Sequence, residues 1–427
     1  MADVETDVAI VGGGAAGLAA ARELSHLGVK SVVFEANNLV GGRIRCIKPP
    51  NWPMPVELGA EFVHQRPAPT LALVGDAELV KVPDVRCEVG AAVRSMPNVW
   101  SRFATLLEPA REAPTSQSMH DYLESGPFAD DSARLVRSMV NDYHAVGLDE
   151  VSARAIARDA ASLHEFEQFR ITGGQGLLLD TLVQSLQRAN VPIQVGTLVR
   201  NIAWRPNDVT LQAIVGQETK TIRARRCLVT VSVGVLQAAA AGGINIEPYP
   251  PALRTHLNSL GMGNVVKLVL RFSQPQWPET SPVRDATFLH FPDATFKTLW
   301  HQQQDDFEQI TAWVGGPAAT ALAEQHPALV MEEALIQVAR LGNRSLSACR
   351  RDLLQIHHHD FVNDPTTRGA YSFVRPAGEQ AARALSEPME KTLFFAGEAL
   401  DLEYPATVAG ALASGTRAAR KIAVSLA

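Results

Sequence analysis

The chain has 427 residues, of which 46% are hydrophobic and 20% are charged, and its formal net charge is −6. This length suits two domains with large cores, and the excess of acidic residues argues against a nucleic-acid partner. Four cysteines without ligand spacing indicate a reducing compartment and no metal site. Because acidic residues precede the first apolar run and no run is long enough to span a bilayer, we expect no secretory leader, no membrane contact and a cytoplasmic location.

The first pattern along the chain is a glycine-rich turn between an apolar strand and a helix. Residues 7–18 read DVAIVGGGAAGL, which contains G-x-G-x-x-G. Gly12 permits the tight turn, Gly14 lets the backbone approach a pyrophosphate, and Gly17 lets helix and strand pack closely. A second apolar run ends at Glu35, whose carboxylate can accept from ribose hydroxyls and would repel the extra phosphate of NADP. The sequence predicts an ADP-binding unit; a plain βαβ unit with a glycine-rich turn is the alternative.

Further segments extend this unit. Residues 36–43 read ANNLVGGR, in which two glycines allow a close loop and Arg43 can place its guanidinium on the pyrophosphate. Residues 56–64, VELGAEFVH, predict a strand with a glycine kink, and residues 393–398, LFFAGE, predict another strand. Thr407 is a candidate N-cap for the alanine-rich helix that follows it.

The middle of the chain mixes helical and extended patterns. Apolar residues recur near a spacing of 3.6 between residues 116 and 167, which predicts helices, whereas residues 263–272 alternate as a strand. Lys267 lies in that strand, where it either faces solvent, as Arg271 on the same side suggests, or has a buried partner. The tract His357–His359 lacks the further spacing of a metal site, so a structural strand is expected there.

Taken together, the motifs resemble the flavin-containing amine oxidase family, which includes monoamine oxidases, polyamine oxidases, amino-acid oxidases and flavin histone demethylases. The resemblance covers nearly the whole chain. Its ordered matches are GGGAAG at 12–17, EA…GGR at 35–43, ELGA at 57–60, ITGG at 171–174, VRNI at 199–202, LVTV…GVL at 228–236, GNVVK at 263–267, DP…RGAYS at 364–372, FAGE at 395–398 and TVAGALASG at 407–415.

This resemblance implies an α/β fold with two interleaved domains. A Rossmann-type FAD-binding domain would comprise residues 1–75, 190–250 and 388–427, and an α+β substrate-binding domain would comprise residues 76–189 and 251–387.

The resemblance also implies FAD as the cofactor. The FAD should be bound non-covalently, because Ala370 stands where monoamine oxidases have the cysteine that attaches it. The positive end of the helix after Thr407 would stabilise negative charge at flavin N1–O2. The residues expected to bind FAD are Gly12, Gly14, Ala15, Ala16, Gly17, Glu35, Ala36, Gly42, Arg43, Gly59, Ala60, Glu61, Phe62, Val199, Gly397, Glu398, Thr407 and Val408.

Four catalytic residues are implied at the substrate end. Lys267 matches the lysine that holds a water against flavin N5, and Tyr371 matches a tyrosine of the aromatic cage around the amine. Thr407 replaces the second cage tyrosine of monoamine oxidases, which favours a polyamine-oxidase-like enzyme. His64 matches a histidine that faces the polyamine chain, with a backbone-bonded histidine as the alternative, and Glu61 is a candidate anion for a cationic substrate.

The expected activity is FAD-dependent oxidation of a small-molecule amine. Hydride passes from the C–N carbon to flavin N5, the imine hydrolyses, and O2 reoxidises the flavin with release of hydrogen peroxide. An L-amino-acid oxidase is an alternative that would need a pocket arginine, for which Arg66, Arg368 and Arg375 are candidates. An alternative of another class is a non-catalytic flavin-binding interaction protein. Histone demethylation is disfavoured because the chain has no long coiled insertion, and the sequence leaves the oligomeric state open.

Overall fold

The structure is a computed structural model that describes residues 4–278 and 280–427. Its strands are β1 Val4–Val11, β2 Ser31–Phe34, β3 Cys46–Ile47, β4 Val56–Glu57, β5 Val63–His64, β6 Leu79–Lys81, β7 Arg86–Val89, β8 Val93–Ser95, β9 Gln168–Ile171, β10 Ile193–Gln194, β11 Thr197–Arg205, β12 Asp208–Val215, β13 Glu218–Val229, β14 Asn245–Glu247, β15 Leu260–Gly263, β16 Val265–Phe272, β17 Phe288–His290, β18 Thr298–Gln304, β19 Phe307–Gly315, β20 Leu353–His358, β21 Tyr371–Val374 and β22 Leu393–Phe395.

The α-helices, together with one π-helical turn at Met139–Tyr143, connect these strands. They are α1 Ala15–His26, α2 Ala68–Val74, α3 Val99–Leu107, α4 Met119–Ser125, α5 Asp130–Ser138, α6 Ala153–Ala160, α7 Gly176–Arg188, α8 Val233–Gln237, α9 Pro251–Asn258, α10 Gly316–Ala323, α11 Pro327–Leu341, α12 Leu346–Asp352, α13 Ala381–Leu385 and α14 Val408–Leu426.

An eight-stranded sheet has the order β10-β2-β1-β13-β12-β11-β14, with β22 also paired to β13. Strands β10, β2, β1, β13 and β22 are parallel to one another. Successive residues of β1 point to opposite faces, and both faces are buried: Val8 and Ile10 pack with α1, α7 and α14, whereas Ala9 and Val11 join the core on the other side. This arrangement confirms the α/β prediction with a Rossmann-type layer.

A seven-stranded sheet has the order β20-β16-β19-β18-β17-β7-β8. On β16, Val266, Leu268 and Leu270 alternate with Lys267 and pack in a core with residues of α10, α11 and α12. The opposite face of this sheet, which carries Lys267, is therefore free of that helical layer. In the described parts of the chain, no helix combines the length and the hydropathy needed to cross a bilayer.

The predicted elements match the structure with one exception. Helices α4 to α6 lie within the predicted helical segment at 116–167, and β16 occupies most of the strand predicted at 263–272, beginning at Val265. The strand predicted at 56–64 is wrong, because only the short strands β4 and β5 form there. A Cβ at Gly59 would overlap the carbonyl oxygen of Arg43, so the chain leaves the strand to pass close to a neighbouring backbone. The domain boundaries stay a prediction.

Candidate cofactor and substrate site

A cavity of about 670 Å³ is lined by residues of both large sheets. Its walls include the glycine-rich turn between β1 and α1 and one face of the seven-stranded sheet. All of the predicted site residues except Gly17 line this cavity. They are Gly12, Gly14, Ala15, Ala16, Glu35, Ala36, Gly42, Arg43, Gly59, Ala60, Glu61, Phe62, His64, Val199, Lys267, Tyr371, Gly397, Glu398, Thr407 and Val408.

The turn between β1 and α1 requires glycine at two positions. Gly12 has φ +109°, and a Cβ there would lie 2.7 Å from Thr230 Oγ1. A Cβ at Gly17 would overlap the Gly12 carbonyl oxygen, so Gly17 allows close packing of α1 on β1 without lining the cavity. The bare backbone at the start of α1 can approach a phosphate closely, which fits the pyrophosphate of FAD.

Glu35 is fixed at the end of β2 by the backbone around it. Its Oε2 accepts from the Gly13 amide at 2.7 Å and its Oε1 accepts from the Asn37 amide at 2.8 Å. Oε1 also accepts from Asn37 Nδ2 at 3.1 Å, so Oε2 is the oxygen that retains a lone pair and can still accept from a ribose hydroxyl in the cavity. This geometry fits the adenosine half of FAD.

Arg43 and Glu398 form an ion pair at the cavity wall. Arg43 Nη1 donates to Glu398 Oε1 at 2.6 Å and to the Ala370 carbonyl at 3.1 Å, and Ser372 Oγ donates to the second Glu398 oxygen at 2.6 Å. The sequence motifs predict that both residues contact the cofactor, but they give no indication of this ion pair, because the two residues are more than 300 positions apart in the chain. Contact of Arg43 with the pyrophosphate stays a prediction.

Lys267 is buried, with only 3% of its surface exposed, so the solvent-facing alternative is wrong. Its Nζ donates to the Gly59 carbonyl at 3.1 Å and to Glu61 Oε2 at 2.8 Å. These acceptors use two of the three N–H donors of the ammonium and leave the third for a group in the cavity.

Glu61 is enclosed by donors. Its Oε1 accepts from the Arg170 guanidinium at 2.8 Å and from Trp300 Nε1 at 3.0 Å. Burial by itself raises the pKa of Glu61, but the charges of Lys267 and Arg170 outweigh burial and lower the pKa to about 2. Because both cations already pair with this carboxylate, its predicted use as a free anion for a cationic substrate is not supported.

A second carboxyl group lies nearby, outside the cavity wall. Glu57 is buried in β4, and its Oε1 accepts from the Gln175 amide at 2.6 Å. Burial raises the pKa of Glu57 to about 7, although that hydrogen bond and the charge of Lys267 act in the opposite direction. Glu57 belongs to the ELGA motif at 57–60, but the motif does not predict that its pKa is raised.

The register of the seven-stranded sheet places a set of cavity residues on one face. Lys267 lies opposite Trp313, Trp313 opposite Thr298, and Thr298 opposite His290. In the adjacent row, Trp300 lies opposite Phe288, which lies beside Arg86. Because residues two apart on a strand share a face, the two rows lie side by side. The cavity wall formed by this face consists of Lys267, Trp313, Thr298, His290, Trp300, Phe288 and Arg86.

Tyr371 and His64 are both buried in the cavity wall. The Tyr371 hydroxyl donates to the Tyr143 carbonyl, and burial raises the pKa of Tyr371. The His64 ring lies 5.2 Å from Phe166, and its Nδ1 has no hydrogen-bond partner within the residues that the structure describes. Burial and the nearby charge of Arg86 lower the pKa of His64 to about 4, so the ring is neutral near pH 7. The unpaired Nδ1 favours the substrate role over the backbone-bonded alternative.

Thr407 is the N-cap of α14, as predicted, because its Oγ1 accepts from the Gly410 amide at 3.1 Å. Ala370 lines the cavity beside Tyr371, and none of the four cysteines does. The described cavity wall therefore offers no thiol to which a flavin could be attached covalently.

Two acidic residues of the cavity wall carry no sequence signal. Asp142 lies in the π-helical turn, where Ser138 Oγ donates to it at 3.2 Å, and Asp159 lies in α6 with 27% of its side chain exposed. Burial raises the pKa of each to about 6. These two residues can be identified as part of the cavity wall only from the structure, because the packing of the helical segment against the cavity places them there.

The three arginines proposed for a substrate carboxylate lie outside the cavity wall. Arg66 pairs with Asp76, Arg368 donates to the carbonyl of Ala241, and Arg375 pairs with Glu150. These candidates are therefore wrong. Arg86, the first residue of β7, does line the cavity, although no motif in the sequence predicts it as a site residue.

The fold and the cavity together define a protein with a Rossmann-type dinucleotide-binding layer and a cavity whose residues fit FAD. The family model "Flavin containing amine oxidoreductase" matches residues 15–423, and the chain belongs to this family. This membership confirms the predicted family, the enzyme class and the FAD cofactor.

Individual relatives are more distant. Human lysine-specific histone demethylase 2 is 27% identical over 470 residues, which cover 97% of this chain and 53% of that protein. Polyamine oxidase 4 of Oryza sativa subsp. japonica is 24% identical over 462 residues, covering 96% of this chain and 87% of the relative. The structure of wild-type putrescine oxidase bound to putrescine superposes with a TM-score of 0.80 at 18% identity, over 98% and 99% of the two chains. The chain thus spans about half the length of that demethylase, and the structural likeness shows the fold alone.

Proposed function

We propose that this chain catalyses FAD-dependent oxidation of an amine and that its substrate is of the polyamine-oxidase type. The observation that carries the proposal is a single cavity that extends from the glycine-rich turn at Gly12 to the buried ammonium of Lys267 and the ring of Tyr371. When bound, FAD would supply the acceptor for the hydride that leaves the C–N carbon.

The chain's own residues would bind and orient the reactants. The glycine-rich turn and Glu35 would hold the ADP half of FAD, and Arg43 would add charge at the pyrophosphate. Lys267 would present its third N–H donor at the reacting edge of the flavin, while the face of Tyr371 would align the amine and exclude water.

The far part of the pocket suits a substrate with a second amino group. Aromatic faces attract ammonium groups, and Asp142 adds negative charge to the pocket. Asp159 adds less, because it pairs with Arg158. His64 could accept a hydrogen bond from a secondary amine through its unpaired Nδ1, if that nitrogen carries the lone pair. The names of the relatives, polyamine oxidase and putrescine oxidase, agree with this substrate type.

An oxidase of α-amino acids is less well supported. An α-carboxylate is two bonds from the amine nitrogen, so its arginine must lie beside the reacting carbon. Of the arginines that line the cavity, Arg43 pairs with Glu398, Arg158 pairs with Asp159, and Arg200 donates to the Gly242 carbonyl. Arg86 of β7 is separated from Lys267 by three intervening strands.

The test is a panel of monoamines, diamines, polyamines and α-amino acids offered to the FAD-loaded protein. Peroxide release in air and bleaching of the flavin without oxygen would be recorded for each compound. We expect both signals with diamines or polyamines. Bleaching without peroxide would reject oxygen as the acceptor, and signals with α-amino acids alone would favour the amino-acid oxidase. No bleaching with any compound would favour the non-catalytic flavin protein.

A further inference from the structure

Arg86 is a buried cation in the wall of the substrate pocket, with 6% of its side chain exposed. Its guanidinium carbon lies 4.2 Å from the ring centroid of Phe288 and 4.7 Å from that of Trp100. These two cation–π contacts restrain the guanidinium, and the N–H groups at its edges form the binding surface.

Two hydrogen bonds fix those edges. Nε donates to Asp84 Oδ1 at 2.6 Å, and Nη1 donates to His290 Nε2 at 3.1 Å. Since an arginine can only donate, Nε2 must be the acceptor of a neutral ring, and Nδ1 then donates to Thr298 Oγ1 at 3.2 Å. Three N–H donors remain, one on Nη1 and both on Nη2, and within the described residues Nη2 donates to none.

The position of Arg86 separates it from the predicted reaction centre. Strands β16 and β7, which carry Lys267 and Arg86, are four strand spacings apart, so their backbones are separated by roughly 19 Å along the sheet, and the charged ends of the two side chains lie closer together than that. The rings of Trp300 and Phe288 connect the two cations: Lys267 Nζ is 5.5 Å from the centroid of Trp300, which is 6.1 Å from that of Phe288. A ligand group at Arg86 would therefore sit far from a carbon that is oxidised beside Lys267.

We propose that Arg86 binds a carboxylate at the far end of an extended amine substrate, several methylene groups away from the amine that is oxidised. The free donors on Nη1 and Nη2 match the two oxygens of a carboxylate, and the two ring contacts, which already restrain the guanidinium, reduce the entropy lost on binding. This inference rests on the proposed amine oxidation and adds to the polyamine type a second substrate class, an amino acid with its amine and carboxylate at opposite ends.

The test uses the FAD-loaded enzyme and compounds of equal chain length that differ at one end: aminohexanoate, aminohexanamide, diaminohexane and hexylamine. Calorimetric affinities, measured without oxygen, would be compared with peroxide release. We expect aminohexanoate to bind about 10- to 100-fold more tightly than hexylamine, the range of charge-assisted hydrogen bonds to a carboxylate. A wild-type enzyme that does not discriminate between these two compounds overturns the proposal without any variant, and tighter binding of the amide than of the carboxylate overturns the assignment of an anion.

Variants test whether the preference for aminohexanoate depends on Arg86. Arg86→Met should remove the preference for aminohexanoate while hexylamine binds as before, and Arg86→Lys should restore only part of it. Arg94→Met is the matched control, because Arg94 lies in the neighbouring strand β8 but is exposed and does not line the cavity. Loss of the preference in Arg94→Met, with its retention in Arg86→Met, overturns the assignment. If aminohexanoate binds through Arg86 and no amine yields peroxide or bleaches the flavin, amine oxidation fails and the carboxylate subsite stands.

Discussion

Lys267 Nζ lies 2.8 Å from Glu61 Oε2, with 3% and 5% of the two side chains exposed. Arg170 lies 2.8 Å from the other oxygen of the same carboxylate, so the cluster contains two cations and one anion. Removal of one cation leaves one cation paired with the carboxylate. Removal of the anion leaves the buried charge of Lys267 and the partly buried charge of Arg170 without their carboxylate partner.

The first prediction follows from this asymmetry. Glu61→Gln should reduce the free energy of unfolding by about 3–5 kcal/mol, the usual cost of breaking a buried ion pair from one side. Lys267→Met should cost less, because Arg170 and Trp300 still satisfy Glu61. Urea unfolding of the FAD-free proteins at neutral pH would measure both values. Equal losses in the two variants would contradict the cluster as described.

The second prediction concerns the rates of the loaded enzyme. If Lys267 acts at the reacting edge of the flavin, Lys267→Met should slow flavin reduction or reoxidation at least about tenfold, equivalent to some 1.4 kcal/mol of barrier. FAD should remain bound, since the predicted contact is remote from the phosphates. Stopped-flow measurement of each half-reaction would separate the two steps, and wild-type rates in both would leave Lys267 with a structural role only.

The residues of this site differ in how well the sequence predicts them. The glycine-rich turn and Glu35 were predictable because their chemistry lies within one short βαβ unit with characteristic spacing. The burial of Lys267 followed only from family resemblance, because its two polar partners, Gly59 and Glu61, lie more than 200 residues earlier in the chain. Alternation along one strand cannot tell a solvated face from one covered by another domain.

Other residues of the pocket could not be predicted from the sequence around them. Arg86, Asp142 and Asp159 come from segments with ordinary surface-like sequences, and the sheet register and the packing of the helical segment bring them to the cavity. The broken strand around Gly59 had a signal, a glycine in an apolar run, but only the neighbouring Arg43 backbone explains why the strand stops there.

The third prediction concerns the retention of FAD. Arg43→Ala should weaken FAD binding by roughly 1.5–3 kcal/mol, the range for a lost hydrogen bond to a charged group, and should change turnover of the loaded enzyme much less. The ion pair with Glu398 is lost at the same time, so Arg43→Lys is the informative companion because it keeps the charge. Quenching of flavin fluorescence during titration of the FAD-free protein would give the dissociation constants. Unchanged affinity in Arg43→Ala would reject the pyrophosphate contact.

The last prediction concerns pH and Glu57. Because burial raises its pKa from 4.5 to about 7 in the folded protein, the unfolded chain loses this proton first as the pH rises. The protonated carboxyl group therefore favours the folded state fully below pH 4.5, and this contribution is lost progressively as the pH rises to about 7. Above that pH the loss is roughly 3 kcal/mol.

Glu57→Gln should remove this dependence, because the amide does not titrate and its oxygen can still accept from the Gln175 amide. We expect the difference in the free energy of unfolding, variant minus wild type, to increase between pH 4 and pH 8 by the roughly 3 kcal/mol that the wild type loses. Asp142 and Asp159 titrate in the same direction in both proteins, so the difference between the two curves isolates Glu57. Glu165→Gln, at an exposed position, is the matched control. Parallel curves for wild type and Glu57→Gln, measured by urea unfolding across this range, would show that Glu57 does not titrate there.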